Sequence, residues 1–163
     1  MSLHEMKSSK TAQRSGSRQS SIEIRLAQSG DAPRIAELSG QLDYPAERHE
    51  ISARLRKIKP TSHHAVFVAE TLERKVIGWV HVSVTPLLEV ELRAEINGLV
   101  VDDHERSRGT GALLTRAAEE WAREKGCKSM SVRSNVRRER AHLFYLRNGY
   151  EHYKTQKAFR KLL

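Results

Sequence analysis

A buried strand that runs into a glycine-opened helix constrains this chain more than any other feature. Val100 and Val101 end an apolar run, and 102–108 is polar. Gly109 and Gly111 then open a segment that carries Leu113, Leu114, Ala117, Ala118, Trp121 and Ala122 on one stripe at helical spacing. Gly126 terminates it. The junction has the physics of an anion site. The first N–H groups of a helix have no internal acceptor, its dipole adds partial positive charge there, and glycine leaves the backbone approachable. Arg106 and Arg108 add full charges and bidentate donors. A plain strand-to-helix turn with capping glycines would use the same residues.

The flanking segments supply a sheet and its cover. Ile22-Glu23-Ile24-Arg25-Leu26 alternates apolar and polar residues, as a half-buried strand does. Ser29-Gly30-Asp31 offers caps for a helix carrying Ile35, Leu38 and Leu42, and Leu42-Asp43-Tyr44-Pro45 breaks it. A second helix spans 46–58, with Ile51, Leu55 and Ile58 on one face and Pro60 at its end. Segments 65–69, 76–84 and 92–101 read as strands. Beyond the glycine-opened helix, 129–133 is strand-like and 138–146 is a short helix stopped by Asn148-Gly149. Segments 150–154 and 157–162 read as two final strands. The order β-α-α-β-β-β-α-β-α-β-β predicts an α/β fold with a mixed sheet and helices on both faces.

Composition narrows the function class. The 163 residues suit one domain with a core, with 38% hydrophobic and 30% charged residues. No apolar run approaches the ~20 residues of a membrane helix, and the N-terminus has no apolar signal core. Cys127 is the lone cysteine, which fits a reducing cytoplasm. The net charge of +9 raises nucleic acid or a polyanionic ligand as partners. Part of it sits in Lys7, Lys10, Arg14 and Arg18, within a Ser-rich basic stretch over 1–20 that reads as a disordered tail. The fold is then assigned to 21–163. Two further basic clusters, 106–116 and 133–140, flank the glycine motif and favour a phosphate-bearing cofactor over a DNA groove.

Two common phosphate motifs fail. A P-loop needs Gly-Lys-Ser/Thr, but Ala112-Leu113 follows Gly111; a dinucleotide fingerprint needs a third small residue where Leu114 stands. The segment Arg106-x-x-Gly109-x-Gly111 instead resembles the Arg/Gln-x-x-Gly-x-Gly/Ala motif of the GNAT superfamily of N-acetyltransferases. Ile24-Arg25 and the helix near Asp31 resemble that family's first strand and helix, and Ile77-Gly78-Trp79 its central hairpin. Asn135, Ala141, Phe144-Tyr145 and Gly149-Tyr150 resemble its C-terminal motif. The resemblance covers roughly Ile22 to Leu163.

The resemblance implies a central, mostly antiparallel sheet and acetyl-CoA as cosubstrate. It implies that the backbone of Arg106, Ser107, Arg108, Gly109, Thr110, Gly111 and Ala112 binds the pyrophosphate. Leu99, Val100 and Val101 would lie beside the pantetheine arm, where their strand splays from its neighbour. Asn135 would hydrogen-bond the arm or a water, and Arg137, Arg138 or Arg140 would meet the 3′-phosphate.

An alkylamine with a pKa near ~10.4 is protonated at neutral pH, and only its neutral form attacks a thioester directly. A base must remove a proton, a backbone N–H can stabilise the oxyanion, and the leaving thiolate needs a proton. Glu95, in Ala94-Glu95-Ile96, resembles the base of the histone-type members, and Asn97 on the same strand face offers a water-positioning alternative. A solvated strand glutamate, or one paired with Arg93, would look the same in sequence. Tyr145 matches the family's tyrosine near the thioester sulfur and is the expected acid. Asp43, Tyr44 and Trp79 are acceptor-site candidates, the first two by analogy with the family's connection between its first helices.

The histidines fit no zinc pattern, so no metal is expected. The expected activity is N-acetyl transfer to a primary amine of a small molecule: aminoglycoside-like, polyamine or amino acid. A protein lysine or N-terminal acceptor is a second possibility. A non-catalytic CoA-sensing or nucleic-acid-binding module is a third, against which the presence of both Glu95 and Tyr145 argues. Many relatives are homodimers, and the segment 159–163 is a candidate for pairing across a dimer.

Overall fold

The computed structural model describes residues 22–58 and 63–163. The basic stretch over 1–20 and Pro60 lie outside the described residues. The element order is β1 (Glu23–Leu26), α1 (Ala32–Gly40), α2 (Arg48–Lys57), β2 (His64–Glu70), β3 (Val76–Thr85), β4 (Arg93–Val101), α3 (Thr110–Glu124), β5 (Ser129–Val132) and α4 (Glu139–Arg147). Short 3-10 turns, Ser29–Asp31 and Asp103–Glu105, precede α1 and follow β4. The five strands form one sheet in the order β1-β2-β3-β4-β5. The first three pairings are antiparallel and β4–β5 is parallel. A parallel pair needs a crossover, and α3 supplies it.

The strands alternate their side chains between two cores. On one face, Ala65, Val80, Val82, Ala94 and Ile96 meet Leu114, Ala118, Trp121 and Ala122 of α3. On the other, Val68, Val76 and Val100 meet Ala32, Ile35, Leu38 and Ile51 of α1 and α2. Leu38 and Leu114, one in each core, are fully buried. Truncating either to alanine would cost about 2–5 kcal/mol.

Ion pairs tie the layers together. Arg25 on β1 donates to Asp31 at 2.8 Å and also to Glu70 on β2. Arg34 on α1 donates to the Val76 carbonyl at 2.9 Å and pairs with Asp102, just beyond β4. Burial opposes ionisation of Asp102, but the His104 N–H and the Arg34 guanidinium outweigh it and hold the carboxyl below its ordinary range.

The two final strands expected over 150–154 and 157–162 are absent: residues 151–163 form no regular element and every one is exposed. Short runs of this kind can suit a strand locally, but a strand needs a hydrogen-bonding neighbour. Among the described residues β5 is paired only on its β4 side.

Candidate functional site

The β4–β5 ladder is short. It runs from Arg93↔Ser129 to Ile96↔Val132 and stops there. On its other side β4 stays paired with β3 through Val80↔Leu99, Trp79↔Val100 and Gly78↔Val101. The backbone of Leu99, Val100 and Val101 therefore has an edge that β5 does not cover. At the point of separation the β3–β4 register jumps from Val82↔Ile96 to His81↔Gly98, so Asn97 is the extra residue of a bulge.

The loop beyond β4 leads to the start of α3. Ser107 and Gly109 both take left-handed backbone, with φ of 65° and 85°. The Leu113 N–H reaches the Gly109 carbonyl at 3.1 Å, which closes the first turn. The N–H groups of Thr110, Gly111 and Ala112 precede that bond and have no intrahelical acceptor. The buried Thr110 hydroxyl also lacks a partner among the described residues. Arg106 and Arg108 turn back onto the loop itself, pairing with Asp103 at 2.5 Å and Glu105 at 2.8 Å. Gly111 also has a packing task beyond the one its motif implies. A Cβ there would stand 3.1 Å from the Phe144 ring, so its small size seats α4 against α3.

A polar band crosses the sheet face opposite α3. The side chains of Ala94 and Ile96 enter the α3-side core, so Glu95 between them presents its carboxylate to the opposite face. Its Oε1 accepts from Arg133 Nε at 2.6 Å rather than from Arg93. Glu95 lies opposite Ser83 on β3, which lies opposite His64 on β2. Asn97 Nδ2 donates to Ser83 Oγ at 2.8 Å, so Asn97 does share the Glu95 face. His64 Nδ1 and His81 Nε2 are 3.1 Å apart. Trp79 borders this band: its ring lies over Gly98, and its buried Nε1 has no partner among the described residues.

On the α4 side, Tyr145 packs against the α3-side core, with the Phe144 and Tyr150 rings edge-on to it. Burial pushes its phenol up to about 12, against the pull of Arg138. Tyr145 and Glu95 thus belong to opposite faces of the sheet. Asn135 Oδ1 accepts from the Arg137 N–H at 3.0 Å, which shapes the turn into α4. Asp43 has left-handed backbone and pairs with Arg138 at 3.1 Å. Tyr44 beside it is largely exposed. Gln41 Oε1 accepts from the Asp103 N–H at 3.1 Å. The α1–α2 connection is therefore tied both to the loop before α3 and to the start of α4.

Sequence reasoning missed His64, His81, Ser83, Arg133 and the contacts of Arg138. No local pattern marks them, because their partners come from other strands and connections. A polar serine and two histidines inside otherwise apolar strands were the available signal.

Residues 33–150 match the model of the acetyltransferase (GNAT) family. The chain is 32% identical over 124 residues to an aminoalkylphosphonate N-acetyltransferase of Salmonella typhimurium, covering 74% of this chain and 77% of that one. It is 26% identical over 102 residues to an aminoglycoside N(6')-acetyltransferase type 1 of Klebsiella aerogenes, covering 61% and 67%. Among solved structures, the aminoglycoside N-acetyltransferase AAC(6')-Iy in complex with CoA superposes with a TM-score of 0.78 at 21% identity, covering 93% of this chain and 99% of that one.

Proposed function

Because this chain belongs to the acetyltransferase (GNAT) family, we propose that it transfers the acetyl group of acetyl-CoA to a primary amine of a small molecule. The observation that carries this reading is the opening between β4 and β5 beside a helix start whose N–H groups lack acceptors. An extended amide-bearing arm can pair with the uncovered edge of Leu99 to Val101. A diphosphate suits the N–H groups of Thr110, Gly111 and Ala112 and the orphaned Thr110 hydroxyl. The residues present fit acetyl-CoA, which when bound supplies an activated acyl thioester.

The chain's own groups then divide the work. Glu95 takes the ammonium proton, directly or through a water held by Asn97. The bulge at Asn97 turns backbone N–H groups out of the ladder, where they can stabilise negative charge on an oxygen. Tyr145, whose phenol stays protonated to about 12, donates to the leaving sulfur. Arg138 holds Asp43 and Leu42 beside the opening, and with Tyr44 and Trp79 they line the acceptor side.

The named relatives act on aminoalkylphosphonates and aminoglycosides, and both acceptors are small amines. We place this chain's acceptor in that class, its location in the cytoplasm, and its active form as a homodimer. Among the described residues no helix is long and apolar enough to cross a membrane. The deciding experiment is thiol release from acetyl-CoA with 2-aminoethylphosphonate, an aminoglycoside, spermidine, amino acids and a lysine peptide. Release with one of the small amines supports the proposal. Release with the peptide alone replaces the acceptor class, and no release with any of them overturns the transferase reading.

A further inference from the structure

We propose that the His64–His81 pair is the proton outlet of the acceptor site, carrying the proton shed by the amine from the sheet face to solvent by exchange of imidazole tautomers. The inference rests on the transferase reading above. The pair is built across two strands. His64 on β2 lies opposite Ser83, and His81 on β3 lies opposite Gly98, directly beside the Asn97 bulge. Their rings meet through His64 Nδ1 and His81 Nε2 at 3.1 Å. That bond leaves His81 Nδ1 and His64 Nε2 at its two ends, which is the arrangement a two-ring relay needs.

Burial comes first, and His64 second, in pushing His81 down to about 4. A ring so hard to charge cannot store a proton at neutral pH. It can pass one on, because an imidazole that gains a proton at one nitrogen can release another from the second nitrogen without remaining charged. On the same sheet face lie Ser83 on β3, opposite His64, then Glu95 and Asn97 on β4, with Arg133 bonded to Glu95. Glu95 and Arg133 are the charged ones and they pair with each other, so neither is free to clear repeated protons as a mobile buffer would.

The step balances as follows. The ammonium N–H bond breaks and its electron pair stays on the amine nitrogen. The proton, received directly or from Glu95, bonds to His81 Nδ1. The His81 Nε2 proton moves to His64 Nδ1, and the His64 Nε2 proton leaves to water as hydronium. After the product departs, water removes the Nδ1 proton of His81, the His64 Nδ1 proton returns to His81 Nε2, and water gives one to His64 Nε2, restoring both tautomers. No oxidant or further reactant is needed.

The experiment uses the full chain, acetyl-CoA, and whichever of 2-aminoethylphosphonate, an aminoglycoside or spermidine releases thiol. His64→Gln and His81→Gln are each expected to lower kcat about a hundredfold at pH 7, within the range of general acid–base catalysis. The loss should shrink severalfold by pH 9.5, where more amine is already neutral. Acetyl-CoA affinity should not change, and the double variant should be no slower than either single one, as for groups acting as a unit. If His81→Gln does not fold, His64→Gln, near the start of β2, carries the test. Rates within twofold of the parent at pH 7, or a loss that is the same at pH 9.5, would overturn the relay. If Glu95→Gln is impaired while both histidine variants are not, the relay falls and the transferase reading stands. No turnover by the parent protein with any amine overturns both.

Discussion

Arg138, at the start of α4, donates to the Leu42 carbonyl at 2.7 Å across 96 positions of sequence. The same guanidinium pairs with Asp43, whose side chain is 91% exposed. An exposed ion pair contributes little, so the carbonyl bond is the stronger part of the tie.

Arg138→Ala should therefore loosen the α1–α2 connection and raise KM for the amine about fivefold, equivalent to roughly 1 kcal/mol. Asp43→Ala should have a smaller effect. Steady-state kinetics with varied amine at saturating acetyl-CoA checks both, and an unchanged KM in Arg138→Ala would remove the connection from the acceptor site.

Gly109 holds φ at 85° with nothing within 4 Å of where a Cβ would be. A substitution there meets backbone strain of about 1–3 kcal/mol rather than a clash. Gly109→Val should weaken acetyl-CoA binding at least tenfold by displacing the N–H groups at the start of α3. Gly109→Asn, which tolerates left-handed backbone, should be milder. Isothermal titration of acetyl-CoA into each variant tests the order. Gly111→Val is a poorer probe, because it would push on Phe144.

Tyr145→Phe should lower kcat about a hundredfold with unchanged acetyl-CoA affinity. Because burial holds the phenol protonated up to about 12, the ratio of parent to variant rates should stay flat from pH 6 to 9. Glu95→Gln should behave differently, its loss shrinking as pH rises and neutral amine accumulates. Two pH–rate profiles on the same amine separate the roles, and a flat ratio for Glu95→Gln would remove it as the base.

His81 also predicts an acid sensitivity of the fold. Its folded value of about 4 lies below the ordinary 6.5, so the unfolded chain binds the proton more tightly. The stability tied to the neutral ring is complete above about 6.5 and is lost as pH falls toward 4. Asp31 and Asp102, both held below the ordinary carboxylate range, lose their contribution only at lower pH. Urea midpoints should fall between pH 7 and 5, and His81→Gln should flatten that slope.

The open edge of β5 and the exposed segment 151–163, with Phe159 and Leu162 at 91% and 85% exposure, support pairing between two copies. Truncation after Ala158 should shift sedimentation toward the monomer mass. An unchanged mass would sink that arrangement.

Most elements were legible locally. The stripe from Leu113 to Ala122 predicted a helix over 109–125, and α3 spans Thr110–Glu124. The strand over 92–101 and the helix over 138–146 match β4 and α4 within a residue. The phosphate-type loop was legible because glycine spacing and helix-start chemistry are properties of contiguous chain. The last two strands were misread for the complementary reason: local residue types record what suits a strand, not whether a neighbour is present to pair with.

By itself the sequence determined where most helices and strands begin, which stripes are apolar, and which loop can receive an anion. All of these follow from spacing within about one element. Tertiary structure alone decided that β4 and β5 part after Ile96, that Gly111 seats Phe144, that Glu95 meets Arg133, and that His64 meets His81. The Gly111 contact depends on how α4 packs on α3; the others depend on register between strands, and one step of register turns every side chain to the other face.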